Sequence, residues 1–112
     1  MNAAETLVET LANLTKKGFT NNFIIKDDSI VCAENNMKLD PKDFEIIEDH
    51  NFKGLYDLDD GSVAYAIKSD RLNIKGILVD AFGANANPIV TEFVRKTKKT
   101  NPFLKKEKLA PV

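Results

Sequence analysis

Cysteine and long apolar runs are both scarce in this chain of 112 residues. Cys32 is the only cysteine, which excludes an internal disulfide and a cysteine-based zinc site built within one chain. No apolar run approaches the ~20 residues that span a bilayer, so we expect no membrane association. The N-terminal segment has acidic residues where a secretory signal would carry positive charge, and we therefore expect a cytoplasmic protein.

Charge is unevenly distributed along the sequence. Charged residues make up 29% of the chain and hydrophobic residues 43%, which is typical of a folded domain. Seven of the sixteen basic residues lie between Arg95 and Lys108, together with one acid, whereas the preceding residues carry nine basic and sixteen acidic side chains. The sequence thus predicts one acidic domain over residues 1–99 and a basic C-terminal tail over 100–112.

Two amphipathic helices are predicted, one near each end of the domain. Asn2 is the predicted N-cap of the first helix and Gly18 its predicted end, with Phe19 folding back on Leu14. Asn87–Pro88 predicts a capped start for the second helix. Apolar side chains follow the helical period in both segments, at Ala4, Leu7, Val8, Leu11 and Leu14 and at Ile89, Val90, Phe93, Val94 and Thr97.

Strand-like residues fill the region between the helices. A hairpin is predicted over residues 22–33, with a turn at Asp27–Asp28, and Asp40–Pro41 predicts a single helical turn. Three further strands, over 44–52, 62–69 and 74–82, predict a meander. Ile47 interrupts the alternation of the first of these, which indicates either apolar neighbours on both faces or a β-bulge.

The order of these elements predicts an α+β fold. We expect an antiparallel sheet of four or five strands, made of the hairpin and the meander and packed against both helices. If the helices cover one face, Ala64, Ala66 and Leu78 would make the other face flat and weakly polar. Such a face is suited to a homodimer contact.

Several segments of the sequence carry a family resemblance. They are Lys17–Phe19, Leu39–Ile46, Phe52–Gly54, Asp57–Ser62, Tyr65–Ile67 and Lys75–Gly83, and the stretch that contains them covers about two-thirds of the chain. With them the chain resembles a family of short bacterial proteins of unknown function that often receive the name phosphoribosylpyrophosphate synthetase. The resemblance implies membership, but the family offers no established activity or catalytic residues to carry over.

The residues do not support the activity in that name. A true synthetase of this kind resembles a much longer two-lobed enzyme with an acidic pair and a Thr/Gly loop for ribose and phosphate. Here Leu78–Gly83 offers one acid, Asp80, with no following threonine and no glycine-rich phosphate cradle. We therefore expect no cofactor.

Two sets of residues are candidates for ligand binding, and each has a simpler structural interpretation. Asp59 and Asp60 lie in an acidic segment that ends at Gly61 but lacks the spacing and the distant glutamate of an EF-hand, so a turn is favoured over a calcium site and no metal is predicted. Tyr65 alternates with Val63 and Ile67, which favours a core ring with its hydroxyl at the rim.

Glu48, His50 and Asp80 are the candidates for acid–base catalysis. His50 is the only histidine, and Glu48 shares its face in a regular strand, a pair that could transfer protons. Because no recognisable nucleophile or cofactor motif accompanies them, a hydrogen-bonded structural histidine is favoured. Cys32 has no obvious cationic neighbour in sequence, which favours an unreactive, half-buried thiol.

The basic tail raises the question of nucleic-acid binding. Its candidate phosphate contacts are Lys98, Lys99, Lys105 and Lys106. No aromatic stacking platform accompanies them, and the acidic domain would repel phosphates, so a solvated tail or one docked on an acidic patch is favoured. We therefore hypothesise a non-catalytic protein-interaction or small-ligand-binding module, with a small enzyme acting near His50 and a nucleic-acid-binding protein as the alternatives.

Overall fold

The computed structural model describes residues 6–52, 61–81 and 86–100, and within these ranges the fold is α+β. Helix α1 comes first and helix α2 follows the main strands, with a short 3₁₀ helix between β2 and β3. The elements are α1 (Leu7–Lys16), β1 (Asn21–Lys26), β2 (Ser29–Cys32), the 3₁₀ helix (Pro41–Asp43), β3 (Glu45–Phe52), β4 (Ser62–Ser69), β5 (Ile74–Ala81), α2 (Pro88–Lys96) and β6 (Lys98–Lys99).

Helix α1 begins later than the sequence predicts, and Asn2 lies outside the described residues. Its N-cap is Thr6, whose hydroxyl accepts a hydrogen bond from the Glu9 N–H at 3.1 Å while the Glu9 carboxylate accepts one from the Thr6 N–H at 2.9 Å. This reciprocal pair satisfies two amides that the helix itself cannot. The predicted C-terminal end is confirmed, because Gly18 has a positive φ and the Phe19 N–H bonds to the Leu14 carbonyl.

The sheet differs from the prediction in strand number and direction. Six strands form one mixed sheet in the order β2-β1-β5-β4-β3-β6. The hairpin β1–β2 and the meander β3–β4–β5 are antiparallel as predicted, but β1 pairs in parallel with β5 and β6 pairs in parallel with β3. The expectation of a purely antiparallel sheet of four or five strands was therefore wrong, because it treated the hairpin as a simple antiparallel continuation and missed a two-residue strand among the lysines.

Gly76 allows the parallel contact between the hairpin and the meander. A side chain at this position would place its Cβ 2.6 Å from the Phe23 ring and 2.8 Å from the Asn21 carbonyl oxygen. Because glycine has no Cβ, Phe23 can lie across β5, where Asn21 is in register with Gly76.

A β-bulge in β3 resolves the irregular position of Ile47. The pairing of β3 with β4 shifts between Ile46 and Glu48, so that Ile46 is opposite Ile67 and Glu48 is opposite Ala66. The extra residue reverses the alternation, so that Glu48 and His50 point to the sheet face opposite Ile46, while Asp49 lies on the Ile46 face. The structure confirms both alternatives, because the strand contains the bulge and because Ile46 and Ile47 each meet apolar neighbours, in two different hydrophobic cores.

The two helices cover opposite faces of the sheet. On the α2 face, Phe23, Ile46, Ile67 and Leu78 join Val90 and Phe93 in the larger hydrophobic core. On the α1 face, Leu14 and Phe19 pack with Ala66 and Ile77 in a smaller core. Neighbouring residues of the same strands enter different cores, as expected when successive side chains point to opposite sides.

The predicted open face was therefore wrong. Ala64 and Ala66 are fully buried, and Leu78 lies in the core of the other face. The expectation failed because strand alternation identifies two faces but not how many of them a helix covers. The predicted acidic turn with Asp59 and Asp60, and the tail with Lys105 and Lys106, lie outside the described residues.

Candidate functional site

Helix α1 covers only the middle of its sheet face, and a depression lies on each side of it. On one side, the α1–β3 cleft has a volume of about 330 Å³ and is lined by Thr10, Asn13, Leu14, Lys16, Lys17, Glu48 and His50. On the other side, the α1 groove has a volume of about 510 Å³ and lies over β1 and β5. The two depressions differ in residue type, since charged side chains line the first and none lines the second.

The α1–β3 cleft brings together two of the three predicted catalytic residues. The Glu48 carboxylate lies 2.8 Å from His50 Nε2 through one oxygen and accepts a hydrogen bond from Lys17 Nζ at 3.0 Å through the other. Both β3 residues point towards α1 because they follow the bulge. The ion pair between Lys17 and Glu48 links the end of α1 to β3. Because Glu48 is partly buried, water screens this ion pair only in part.

The surroundings of Glu48 stabilise its charged form. Burial by itself favours the neutral carboxyl, but the hydrogen bonds from His50 and Lys17 outweigh it and lower the pKa of Glu48 below its ordinary value. An ionised carboxylate held against Nε2 fixes the orientation of the His50 ring. The pair could take part in proton transfer, and it equally serves as a polar link between the helix and the sheet.

Asp80 does not belong to this cleft. It pairs with Val63, whereas His50 pairs with Ala64, so the two side chains point to opposite sheet faces. The Asp80 carboxylate accepts a hydrogen bond from the Asn87 N–H at 3.2 Å, next to the start of α2. Strand alternation across the meander separates Asp80 from His50. The prediction that Asp80 joins Glu48 and His50 in one acid–base site was therefore wrong.

Tyr65 lies on the α2 face, partly buried against the larger core as expected. It pairs with Leu78 on one side and with Asp49 on the other. Burial, together with the negative charges of Asp49 and Asp80, raises the pKa of the Tyr65 hydroxyl. A tyrosine held neutral beside two carboxylates is suited to a structural role.

The α1 groove consists entirely of uncharged residues. Seven of the nine residues that line it are apolar, and the other two are Thr15 and Asn22, although the side chains of Phe23 and Leu78 belong to the core on the other face. Ile24 and Val79 on its strands are 43% and 41% exposed, and Val8 on α1 is 76% exposed. Val8 precedes Leu11 by three residues and Thr15 by seven, so all three lie on the groove side of the helix.

Sequence inspection missed this groove. Val8 was expected to be one of the residues that α1 buries, and Ile24 and Val79 were expected to be ordinary strand residues. The only available signal was that Val8 and Leu11 widen the apolar stripe of a short helix beyond what one strand can cover. Which part of the stripe stays exposed depends on where the helix lies on the sheet.

The lysines proposed for nucleic-acid binding do not form a patch in the described part of the chain. Lys99 Nζ donates a hydrogen bond to the Val94 carbonyl at 3.2 Å, near the end of α2, while Lys98 is exposed. Lys98 and Lys99 form β6 beside Glu45 and Ile46, and the Thr100 hydroxyl donates a hydrogen bond to Glu45. The strand pairing therefore accounts for this segment.

Cys32 is fully buried, more deeply than expected, and its sulfur lies 3.4 Å from the side-chain amide nitrogen of Asn21.

Among residues 6–52, 61–81 and 86–100, no group of three or more metal-ligating side chains could hold an ion. Over the same residues, no helix is long and apolar enough to cross a membrane. Comparisons with protein families, curated proteins and solved structures found no match for this chain.

Proposed function

We propose that this chain is a non-catalytic protein-interaction module that forms a homodimer through the α1 groove. The observation that carries this proposal is the exposure of Val8, Ile24 and Val79 around a depression with no charged lining residue. In a chain with 29% charged residues, local loss of charge around exposed apolar side chains is typical of the centre of a protein interface.

The shape of the surface favours a second copy of the chain as the partner. A twofold dimer needs one patch that is complementary to itself. Val8 projects from α1 three residues before Leu11, which lines a depression that also contains Ile77 and Val79. Two copies related by a twofold axis can each place the Val8 ridge of one subunit over the depression of the other.

The α1–β3 cleft supports this function less directly. The Glu48–His50 contact at 2.8 Å is the observation that favours the alternative, a small acid–base enzyme. We prefer the interaction module because Lys17 occupies the second oxygen of the same carboxylate, an arrangement that links α1 to β3. Such a link would hold α1, which carries Val8 and Leu11, in a fixed position relative to the strands of the α1 groove.

Light scattering after gel filtration, over a dilution series, tests the dimer. We expect the mass to rise from that of the monomer to twice that value, and Val8→Glu to weaken the association about tenfold or more, since it buries a charge at the contact. Val8 is highly exposed and lies in the first turn of α1, where a negative charge favours the helix, so the substitution should not unfold the domain.

Thr91→Glu is the matched control, because it adds the same charge to the first turns of α2 at an exposed site on the opposite face. Val79→Thr tests the strand side of the groove with a side chain of the same shape. Monomer at every concentration would contradict the proposal. So would equal weakening by Thr91→Glu, or dimers that survive both groove substitutions.

A further inference from the structure

A third depression lies on the other face of the molecule, between α2 and the segment that follows β2. This α2 groove has a volume of about 300 Å³ and is lined by the apolar side chains Ile30, Leu39, Pro41, Pro88, Ile89 and Phe93. Its size is at the lower end of small-molecule sites and about twice that of an apolar cavity that holds benzene. The groove therefore has room for one substituted ring.

The walls of the α2 groove are held in place without a ligand. Pro41 and Pro88 are each the first residue of a helix, and their rings fix the local backbone. The Asp40 side chain accepts a hydrogen bond from the Lys42 N–H at 3.0 Å, and the Asn87 side chain accepts one from the Ile89 N–H at 2.8 Å. A preformed wall of this kind reduces the ordering cost of binding.

Four charged residues border the groove, two of each sign: Asp28, Lys38, Glu92 and Lys96. The Glu92 carboxylate is already held by Arg95, with Nη2 at 2.6 Å and Nε at 3.2 Å, and Lys96 Nζ is a more distant partner at 3.4 Å. These contacts, led by the hydrogen bond from Arg95, lower the pKa of Glu92. Because Arg95 holds Glu92 at shorter distances, an anionic group in the groove has to compete only with the longer contact between Lys96 and Glu92.

We propose that the α2 groove binds a small aromatic carboxylate, with the ring between Pro41 and Pro88 and the carboxylate at Lys96. Proline side chains and aromatic rings are complementary surfaces, as in the recognition of proline-rich segments. The apolar floor supplies the burial, and the two lysines on the rim, Lys96 and Lys38, favour an anionic end over a cationic one. This inference concerns a different face from the α1 groove and does not depend on the homodimer.

Titration of the full chain with 4-phenylbutyrate, followed by methyl NMR, tests the site. We expect saturable shifts of the Ile30, Leu39 and Ile89 methyl groups, with a dissociation constant in the millimolar range for so small a probe. Lys96→Gln should weaken the binding of 4-phenylbutyrate severalfold but leave the binding of the neutral 4-phenylbutyramide unchanged. Lys16→Gln on α1, far from the groove, should change neither.

Four outcomes would overturn the inference. Shifts that stay linear with concentration, or that appear around Ile24 and Val79 instead, would show that the α2 groove is not a site for this ligand. Equal or tighter binding of 4-phenylbutylamine would show that the sign of the selected charge is wrong. Unchanged affinity in Lys96→Gln would remove the lysine from the site.

Discussion

The two faces of the sheet are built from the same strands but differ in how completely they are covered. The α2 face contributes ten buried hydrophobic residues to one core, among them Phe23 and Phe44, whose rings meet edge to face at 5.9 Å. The α1 face contributes four, two of which, Leu14 and Phe19, come from α1 and the residues just after it. Small strand residues such as Ala66 let the helix lie close to the sheet but leave little apolar surface to bury.

This difference separates stability from surface function in the molecule. Burial of apolar area is the main favourable contribution to folding, so most of the stability should come from the α2 face. The α1 face stays partly open because a helix of ten residues cannot cover six strands. Its two depressions are therefore where changes in side-chain chemistry should affect binding more than folding.

The largest expected effect tests the α2 face directly. Ile67→Ala should lower the free energy of unfolding by about 3–5 kcal/mol, because Ile67 is fully buried and its removal leaves a cavity. Ile47→Ala makes the same change on the α1 face, where the side chain is only partly buried, and should cost about 1–2 kcal/mol. Urea unfolding measures both, and equal losses would mean that the faces contribute alike.

A second substitution tests the contact that attaches the hairpin to the meander. Gly76→Ala should cost about 1–3 kcal/mol, because the new methyl group would overlap the Phe23 ring and the Asn21 carbonyl. In a Phe23→Leu background the additional cost should be smaller, since one of the two obstacles is removed. Thermal unfolding of the wild type, the two single variants and the double variant measures these costs. An equal cost of Gly76→Ala in both backgrounds would contradict this account.

The smallest expected effect concerns the polar link on the α1 face. The pKa of Glu48 is lowered in the folded protein, so the stability that its charge contributes is fully present above its ordinary pKa of 4.5. That contribution should disappear as the pH falls through the lower folded-state value. Because the site is partly exposed, the free energy of unfolding of the wild type should exceed that of Glu48→Gln by about 1 kcal/mol or less at neutral pH.

Unfolding free energies of both proteins, measured from neutral to acidic pH, should converge at the acidic end. In a Lys17→Gln background the loss of unfolding free energy caused by Glu48→Gln should be smaller, since one partner of the carboxylate is absent. A gap that persists in strong acid would show that the Glu48 side chain stabilises the fold through packing instead of charge.

Local patterns predicted most of the elements. The strand over 62–69 was predicted with its observed bounds, and the caps at Asp40 and Asn87 and the end of α1 at Gly18 follow from the residue types at those positions. The pairing of Glu48 with His50 was also predicted, because a spacing of two residues keeps both on one face. Each of these features depends on interactions within a few residues of the chain.

Apart from the start of α1, which Thr6 caps, the main incorrect predictions concern contacts between distant segments. Asp80 was placed with His50 because neither sequence position indicates which face of a strand meets which face of its neighbour. The parallel pairing of β1 with β5 depends on Gly76, whose importance appears only when Phe23 lies across it. The exposed surface of Val8, Ile24 and Val79 depends on where α1 lies on the sheet.

By itself the sequence determined the two helices and the five longer strands, with most of their caps and turns, because these follow from backbone geometry and nearest neighbours. Only the tertiary structure decided that the helices lie on opposite faces, that the sheet is mixed, and that two grooves remain open. Those features depend on how residues far apart in the chain fill space together, and short-range periodicity carries no information about that.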